Sequence, residues 1–118
     1  MRYELEVDSF DQLWLLDHGY VDEAGMPSKE SMTKLGEEAM ECYSAWEDMR
    51  AACDEGSVTV DEWVRLVHRL LDELADVIQA SCNIATICGA SGHDMAIALY
   101  ECGERNARRG RMGQAGVL

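Results

Sequence analysis

The chain is short of proline, of positive charge and of any long apolar run. Its 118 residues hold one proline, Pro27, and neither an internal repeat nor a low-complexity tract. Nothing in the composition divides it, so a single domain with a modest core is expected. Ten lysines and arginines face 23 aspartates and glutamates, a net charge of −13. A body this acidic repels a phosphate backbone, which disfavours a nucleic acid polymer as partner. No apolar stretch approaches the roughly 18 residues that a membrane-crossing helix needs, so no membrane partner is expected. The acidic, alternating start MRYELEVD does not read as a signal peptide. Five cysteines (Cys42, Cys53, Cys82, Cys88 and Cys102) form no CxxC pair. Their odd number argues against a disulfide framework or zinc ribbon and for reduced thiols in a cytoplasmic protein. No GxxxxGK[ST] or GxGxxG loop occurs to cradle phosphate. His18, His68 and His93 are scattered, and none follows a glutamate by three residues, so the Glu-x-x-His ligands of a ferritin-like di-iron bundle are missing.

What is present reads as helix. Residues 2–7 alternate, with Tyr3, Leu5 and Val7 opposite Arg2, Glu4 and Glu6, which fits a short strand or extended arm. Ser9 is placed to cap a short helix to about His18, its apolar members including Phe10, Leu13, Trp14 and Leu16, and Gly19 ends it. Ser28 caps a second helix expected to reach about Asp54, where Gly56 stops it. At 100° per residue, Met32, Leu35, Ala39, Cys42, Tyr43, Trp46, Met49 and Cys53 share an arc of roughly 120°. That arc is read as a buried stripe, with Trp46 in the core rather than stacked on a base. Asp61 is expected to cap a third helix, which carries Trp63, Leu66, Val67, Leu70, Leu71, Leu74, Val77 and Ile78 on its apolar side and continues to about Gly89. Beyond Leu74 its surface is apolar or small all round (Ala80, Cys82, Ile84, Ala85, Ile87, Cys88), and the cysteines read as small core residues. Such a helix has to be covered on several sides, so a homodimer or homotetramer is expected. Asp94 or Ser91 caps a last helix through Cys102, and RNARRGRMGQAGVL then reads as a loop or disordered end. The expectation is an all-α bundle of two long antiparallel helices plus shorter ones, completed by oligomerisation. It is organised as an arm with a short helix (1–27), a helical domain (28–110) and a tail (111–118).

Four acid pairs stand three residues apart: Asp8/Asp11, Glu38/Glu41, Glu73/Asp76 and Glu101/Glu104. Chance alone yields about four in a chain this acidic, so their number carries no information while their placement does. Glu38/Glu41 border the apolar arc of the second helix, and Glu73/Asp76 border that of the third. Antiparallel packing by those arcs brings four carboxylates to one rim. There they repel and lose hydration unless a positive charge sits among them. Oxygen-only ligands suit a hard divalent ion such as Mg²⁺. The alternative is two solvated acidic faces. Lys34 shares the stripe of Glu38 and Glu41, either as an ordinary helix ion pair or as a phosphate contact.

KLGEEAME, with Lys34, Glu37, Glu38 and Glu41, followed by DELADVIQA with Glu73 and Asp76, resembles the EExxE…ExxD signature of the MazG-like all-α nucleoside triphosphate pyrophosphohydrolases. The closing ERNARRG resembles the Asn- and Arg-containing end of small phage and prophage members, so the likeness spans roughly residues 28–110. Two features depart from the pattern: the 31 residues between Glu41 and Glu73 form a long insert, and residues 1–27 match nothing in it. The resemblance implies a Mg²⁺-dependent enzyme, with Mn²⁺ as a substitute, that cuts a (deoxy)nucleoside triphosphate into the monophosphate and pyrophosphate. By motif position, Glu38, Glu41, Glu73 and Asp76 would hold the metal, and Glu37, Glu38 and Glu41 would be the catalytic acids, Glu37 pointing away from the rim. Lys34, Asn106 and Arg109, with Arg105 and Arg108 nearby, would contact phosphate or sugar; a solvated basic end is the other reading of the arginines. A phosphoribosyl-ATP pyrophosphohydrolase and a non-catalytic helical interaction module are the alternatives.

Overall fold

The computed structural model describes residues 12–110. The alternating segment 2–7, the Ser9 cap and the tail 111–118 lie outside the described residues. Within them the chain is all-α: α1 (Gln12–Asp17), α2 (Lys29–Glu55), α3 (Val60–Ile87) and α4 (Gly92–Arg108), with no strand.

Local chemistry sets the boundaries. Ser28 holds extended backbone (φ −74°, ψ 165°), and its Oγ accepts the Ser31 N–H at 3.2 Å, which satisfies one of the free donors at the start of α2. The same hydroxyl donates to the Gly19 carbonyl at 2.7 Å, and the Ser28 N–H donates to the Tyr20 carbonyl at 2.9 Å. Between them Asp22 Oδ1 accepts the N–H groups of Ala24 and Met26, both at 2.9 Å, and Val21 bridges to Pro27. The α1–α2 loop is thus fastened to the first turn of α2. At the other end Gly56, with φ 70°, takes the left-handed conformation that closes a helix, and its N–H donates to the Cys53 carbonyl.

The cap of α3 is Thr59, not Asp61. Thr59 Oγ1 accepts the Glu62 N–H at 3.2 Å while Glu62 Oε2 accepts the Thr59 N–H at 3.3 Å. This reciprocal box satisfies two donors where a lone aspartate would satisfy one, and Asp61 in the first turn still meets the positive end of the helix dipole. Ser91 caps α4, and Asp94 is the other half of its box, accepting from the Ser91 N–H at 2.7 Å. The last helix also runs past Cys102 to Arg108, so RNAR is helix and not loop. Arg105 and Arg108 fall in its last turn, where positive charge offsets the exposed carbonyls.

The long helices α2 and α3, each about 40 Å at 1.5 Å per residue, lie antiparallel and are tied by an ion pair between Asp48 and Arg69. Helix α1 packs on α3, and its Leu15 is fully buried. Helix α4 touches α3 only lightly. The result is an elongated body of 52 × 35 × 23 Å with a radius of gyration of 17.4 Å. A compact fold of about 100 residues would have about 13 Å.

The core differs from the stripe read off the sequence. Of the apolar residues described, only Leu15, Ala45, Ala80 and Cys82 are buried. On α2 the buried residues are Ser31, Glu38 and Ala45, seven apart, with Leu35, Cys42 and Met49 half-buried beside them. Their centre is rotated roughly 70° from that of the apolar arc, toward Glu38. Met32, Tyr43 and Trp46 are each about half exposed, so Trp46 is not a core residue; its ring lies 5.4 Å from that of Tyr43. Nor are the cysteines uniformly core: Cys82 is buried and Cys42 half-buried, whereas Cys53, Cys88 and Cys102 are exposed. Along α3, burial gathers between Gln79 and Ile87, while Trp63, Val64, Leu71, Leu74 and Ile78 stay exposed. No described helix is long and apolar enough to cross a membrane.

Candidate functional site

Antiparallel pairing sets Glu38 and Glu41, one turn apart on α2, against Glu73 and Asp76, one turn apart on α3. One carboxylate oxygen from each of the four lies within 4.8 Å of the other three. Octahedral Mg²⁺ holds oxygens about 2.1 Å away, which places its ligands about 3 to 4.2 Å apart, so the four would have to draw together around an ion.

Part of the cluster is buried. Glu38 is 6% exposed, and Lys34 Nζ sits 2.8 Å from its Oε1. Its other oxygen, Oε2, is buried with no hydrogen-bond donor, and so is Oε2 of the half-buried Glu73. A buried anionic oxygen without a donor is costly, and two facing each other add repulsion. The fields are felt by their neighbours. A shared hydrogen bond with Glu73, and then one with Glu38, pushes the Glu41 carboxyl above its ordinary range. Hydrogen bonding and charge from Glu38 raise the Lys34 ammonium, so it stays protonated. Burial, followed by the charges of Glu73, Glu38, Asp76 and Glu41, pushes the Cys42 thiol up, which disfavours its thiolate form. Four carboxylates, two of them with an orphaned oxygen, could hold a hard cation.

The direction of the Glu41 shift has a measurable consequence. A carboxyl whose pKa is raised on folding disfavours the fold at neutral pH, and that penalty fades as pH falls and the group takes up its proton. A cation must displace the same proton. Mg²⁺ affinity, followed by calorimetric titration, is expected to weaken on acidification from above the ordinary glutamate range. The metal-free protein is expected to melt higher on mild acidification. Affinity unchanged down to the normal glutamate range would remove Glu41 from the ligand set.

Two clefts flank the cluster. The first, of about 190 Å³, opens between α2 and α3 and has Lys34, Glu38 and Asp76 at its acidic end. Ser31, Gln79, Ala80 and Asn83 line it further along the helices, and Tyr20 contributes from the α1–α2 loop. The second, of about 410 Å³, lies over the start of α2 and is lined by Lys29, Thr33, Lys34 and Glu37 among others. Glu37 is therefore not with the four carboxylates; it is exposed on the opposite side of Lys34. Asn106 and Arg109 line neither cleft. Asn106 Nδ2 donates to Cys102 Sγ at 3.5 Å within α4, and Arg109 is the exposed cap of that helix.

Tyr20, Ser31, Gln79 and Asn83 were not singled out by sequence. Register could have found three of them: Ser31 precedes Glu38 by seven residues, and Gln79 and Asn83 follow Asp76 by three and seven, on the same helix faces. Tyr20 had no such signal, because its position depends on how the loop is fastened. Comparison with protein-family models, curated protein sequences and solved structures gives no match to the chain.

Proposed function

We propose that the protein is a MazG-like pyrophosphohydrolase, which uses Mg²⁺ to cleave (deoxy)nucleoside triphosphates into the monophosphate and pyrophosphate. One observation carries the reading. Glu38 and Glu73 meet from two helices inside a four-carboxylate cluster, each with a buried oxygen that no donor satisfies. A cation among them would satisfy both, and this is the arrangement that the EExxE…ExxD resemblance assigns to the metal ligands. Glu38, Glu41, Glu73 and Asp76 hold the ion in this reading. The bound ion supplies positive charge that offsets the triphosphate and favours attack by water at neutral pH.

The chain's own groups do the rest. Water oxygen bonds to the α-phosphorus, the bond from that phosphorus to the α–β bridging oxygen breaks, and pyrophosphate leaves with the electron pair. Glu41, exposed beside the buried Glu38, orients the water and accepts its proton. Lys34 exchanges its ion pair with Glu38 for a phosphate oxygen, since its side chain is about half exposed and lines both clefts. Glu37 takes no part in this step. Asn106 and Arg109 reach substrate only from a second subunit in this reading, because neither lines a cleft of its own chain. Self-association belongs to the same reading, as the exposed aromatic and aliphatic side chains of α2 and α3 need cover.

A panel of nucleoside triphosphates, with phosphoribosyl-ATP beside them, tests the reading. With Mg²⁺ or Mn²⁺, equal amounts of monophosphate and pyrophosphate should appear, and chelation should stop the release. Release of single phosphate would mean a different bond is cut. No turnover of any substrate would leave a helical interaction module.

A further inference from the structure

Of the described residues, Tyr20 and Lys34 alone line both clefts, so together they form the wall that divides them. They reach that wall from different parts of the chain. Lys34 belongs to α2 and stands one turn before Glu38, whose Oε1 holds its Nζ at 2.8 Å. Tyr20 belongs to the α1–α2 loop, within residues 1–27, the stretch that departs from the EExxE…ExxD pattern. The two are near enough for charge to register: after the hydrogen bond and charge of Glu38, the Tyr20 phenol adds to what raises the Lys34 ammonium.

Tyr20 is the better anchored of the pair. Its N–H donates to the Leu15 carbonyl at 2.9 Å, and its own carbonyl accepts the Ser28 N–H at 2.9 Å. Its ring stacks on Trp14 with centroids 5.8 Å apart, and Trp14 stacks on His18 at 3.8 Å. Leu15, beside Trp14, is fully buried in the helix that packs on α3. The ring is thus tied through α1 to α3, and through Ser28 to the start of α2. Lys34 has a single ion-pair partner among the described residues, Glu38, and its long side chain is about half exposed. A phosphate has to replace that one tether. Once Nζ leaves Glu38, a lysine with nothing beside its stem spreads over many rotamers, and holding it again costs that freedom. We infer that Tyr20 is a positioning residue for Lys34: its ring confines the lysine between the two clefts, so that the ammonium meets a phosphate already placed. The kinetic side of this inference rests on the pyrophosphohydrolase reading, whereas the confinement itself does not.

Two measurements on the full chain test it. Lys29 and Lys34 are the only lysines in the sequence, so lysine labelled with carbon-13 at Cε gives one methylene signal for each. On a confined lysine the two Hε protons differ in chemical shift, and on a freely rotating one they coincide. In metal-free Glu38→Gln, where the ion pair is gone and Tyr20 remains, the Lys34 pair should stay distinct. Adding Tyr20→Ala to that variant should merge them, and adding Tyr20→Phe, which keeps the ring, should not. Merged protons in Glu38→Gln alone, or distinct ones after Tyr20→Ala is added, overturn the inference. The first of these outcomes decides against it even if the double variant fails to fold, which circular dichroism would report. In the second measurement, with Mg²⁺ and a triphosphate, Tyr20→Ala alone should raise KM by about tenfold with kcat within about threefold, and Tyr20→Phe should keep the wild-type KM. In a Lys34→Met background Tyr20→Ala should change KM by less than about twofold, because a residue that acts through another has no effect once that other is removed. An equal rise in both backgrounds overturns the inference and leaves the hydrolase intact. A wild type that cleaves no triphosphate overturns the hydrolase, and the lysine signals then decide for or against Tyr20.

Discussion

Glu38→Gln is expected to lower pyrophosphate release by about 100-fold or more while leaving helix content unchanged, the scale on which a single preorganised charge contributes to catalysis. The substitution keeps the shape of a side chain that is 6% exposed, so no cavity opens. It removes one of the clustered negative charges and sets an amide donor among the remaining carboxylates. The metal-free variant should therefore melt at the same temperature as the wild type or higher, an outcome opposite to that of an ordinary core disruption. It should also lose most of the rise in melting temperature that Mg²⁺ gives the wild type, since a cation that binds only the folded state stabilises in proportion to its affinity. Near-normal turnover in the variant would remove Glu38 from the site. Normal Mg²⁺ stabilisation with lost turnover would make it catalytic without being a ligand.

The second large effect concerns size in solution. Sedimentation is expected to give at least a dimer at micromolar concentration, and Trp46→Glu combined with Leu71→Glu to weaken association by about tenfold or more. Both side chains are about half exposed on α2 and α3, in a body whose radius of gyration, 17.4 Å, far exceeds that of a compact chain of this length. A stable interface buries about 1,600 Å² in total, and the apolar side chains left open on both long helices offer its starting material. A well-behaved monomer would show that these residues tolerate water and would remove the route by which Asn106 and Arg109 reach substrate.

Helix identity was legible in the residues because the signals were local. Ser28 and Gly56 announced the two ends of α2, and the chain used both. Thr59 was overlooked for Asp61 because either residue type caps well in isolation, and only the partner three residues on, Glu62, distinguishes them. The end of α4 was missed for a related reason: the glycines of the closing segment suggest a loop, but the arginines before them are favoured in a last turn. The four carboxylates were found because they stand one turn apart on helices that pair. Which face of α2 meets α3 was not legible. An apolar arc records all the surface that must leave water, whether against the same chain or another, and Trp46 and Glu38 lie on opposite sides of the dividing line. The Tyr20 wall was invisible because it depends on hydrogen bonds between Ser28 and the backbone of Gly19 and Tyr20, which no periodicity encodes.

The carboxylates sit well inside both long helices, far from every cap. An ion seated there would act as a rivet through the middle of two beams. Amides near Glu38 and Glu73 would then gain the most resistance to solvent exchange when the cation enters, and the outlying turns the least, so the molecule would stiffen from its waist outward.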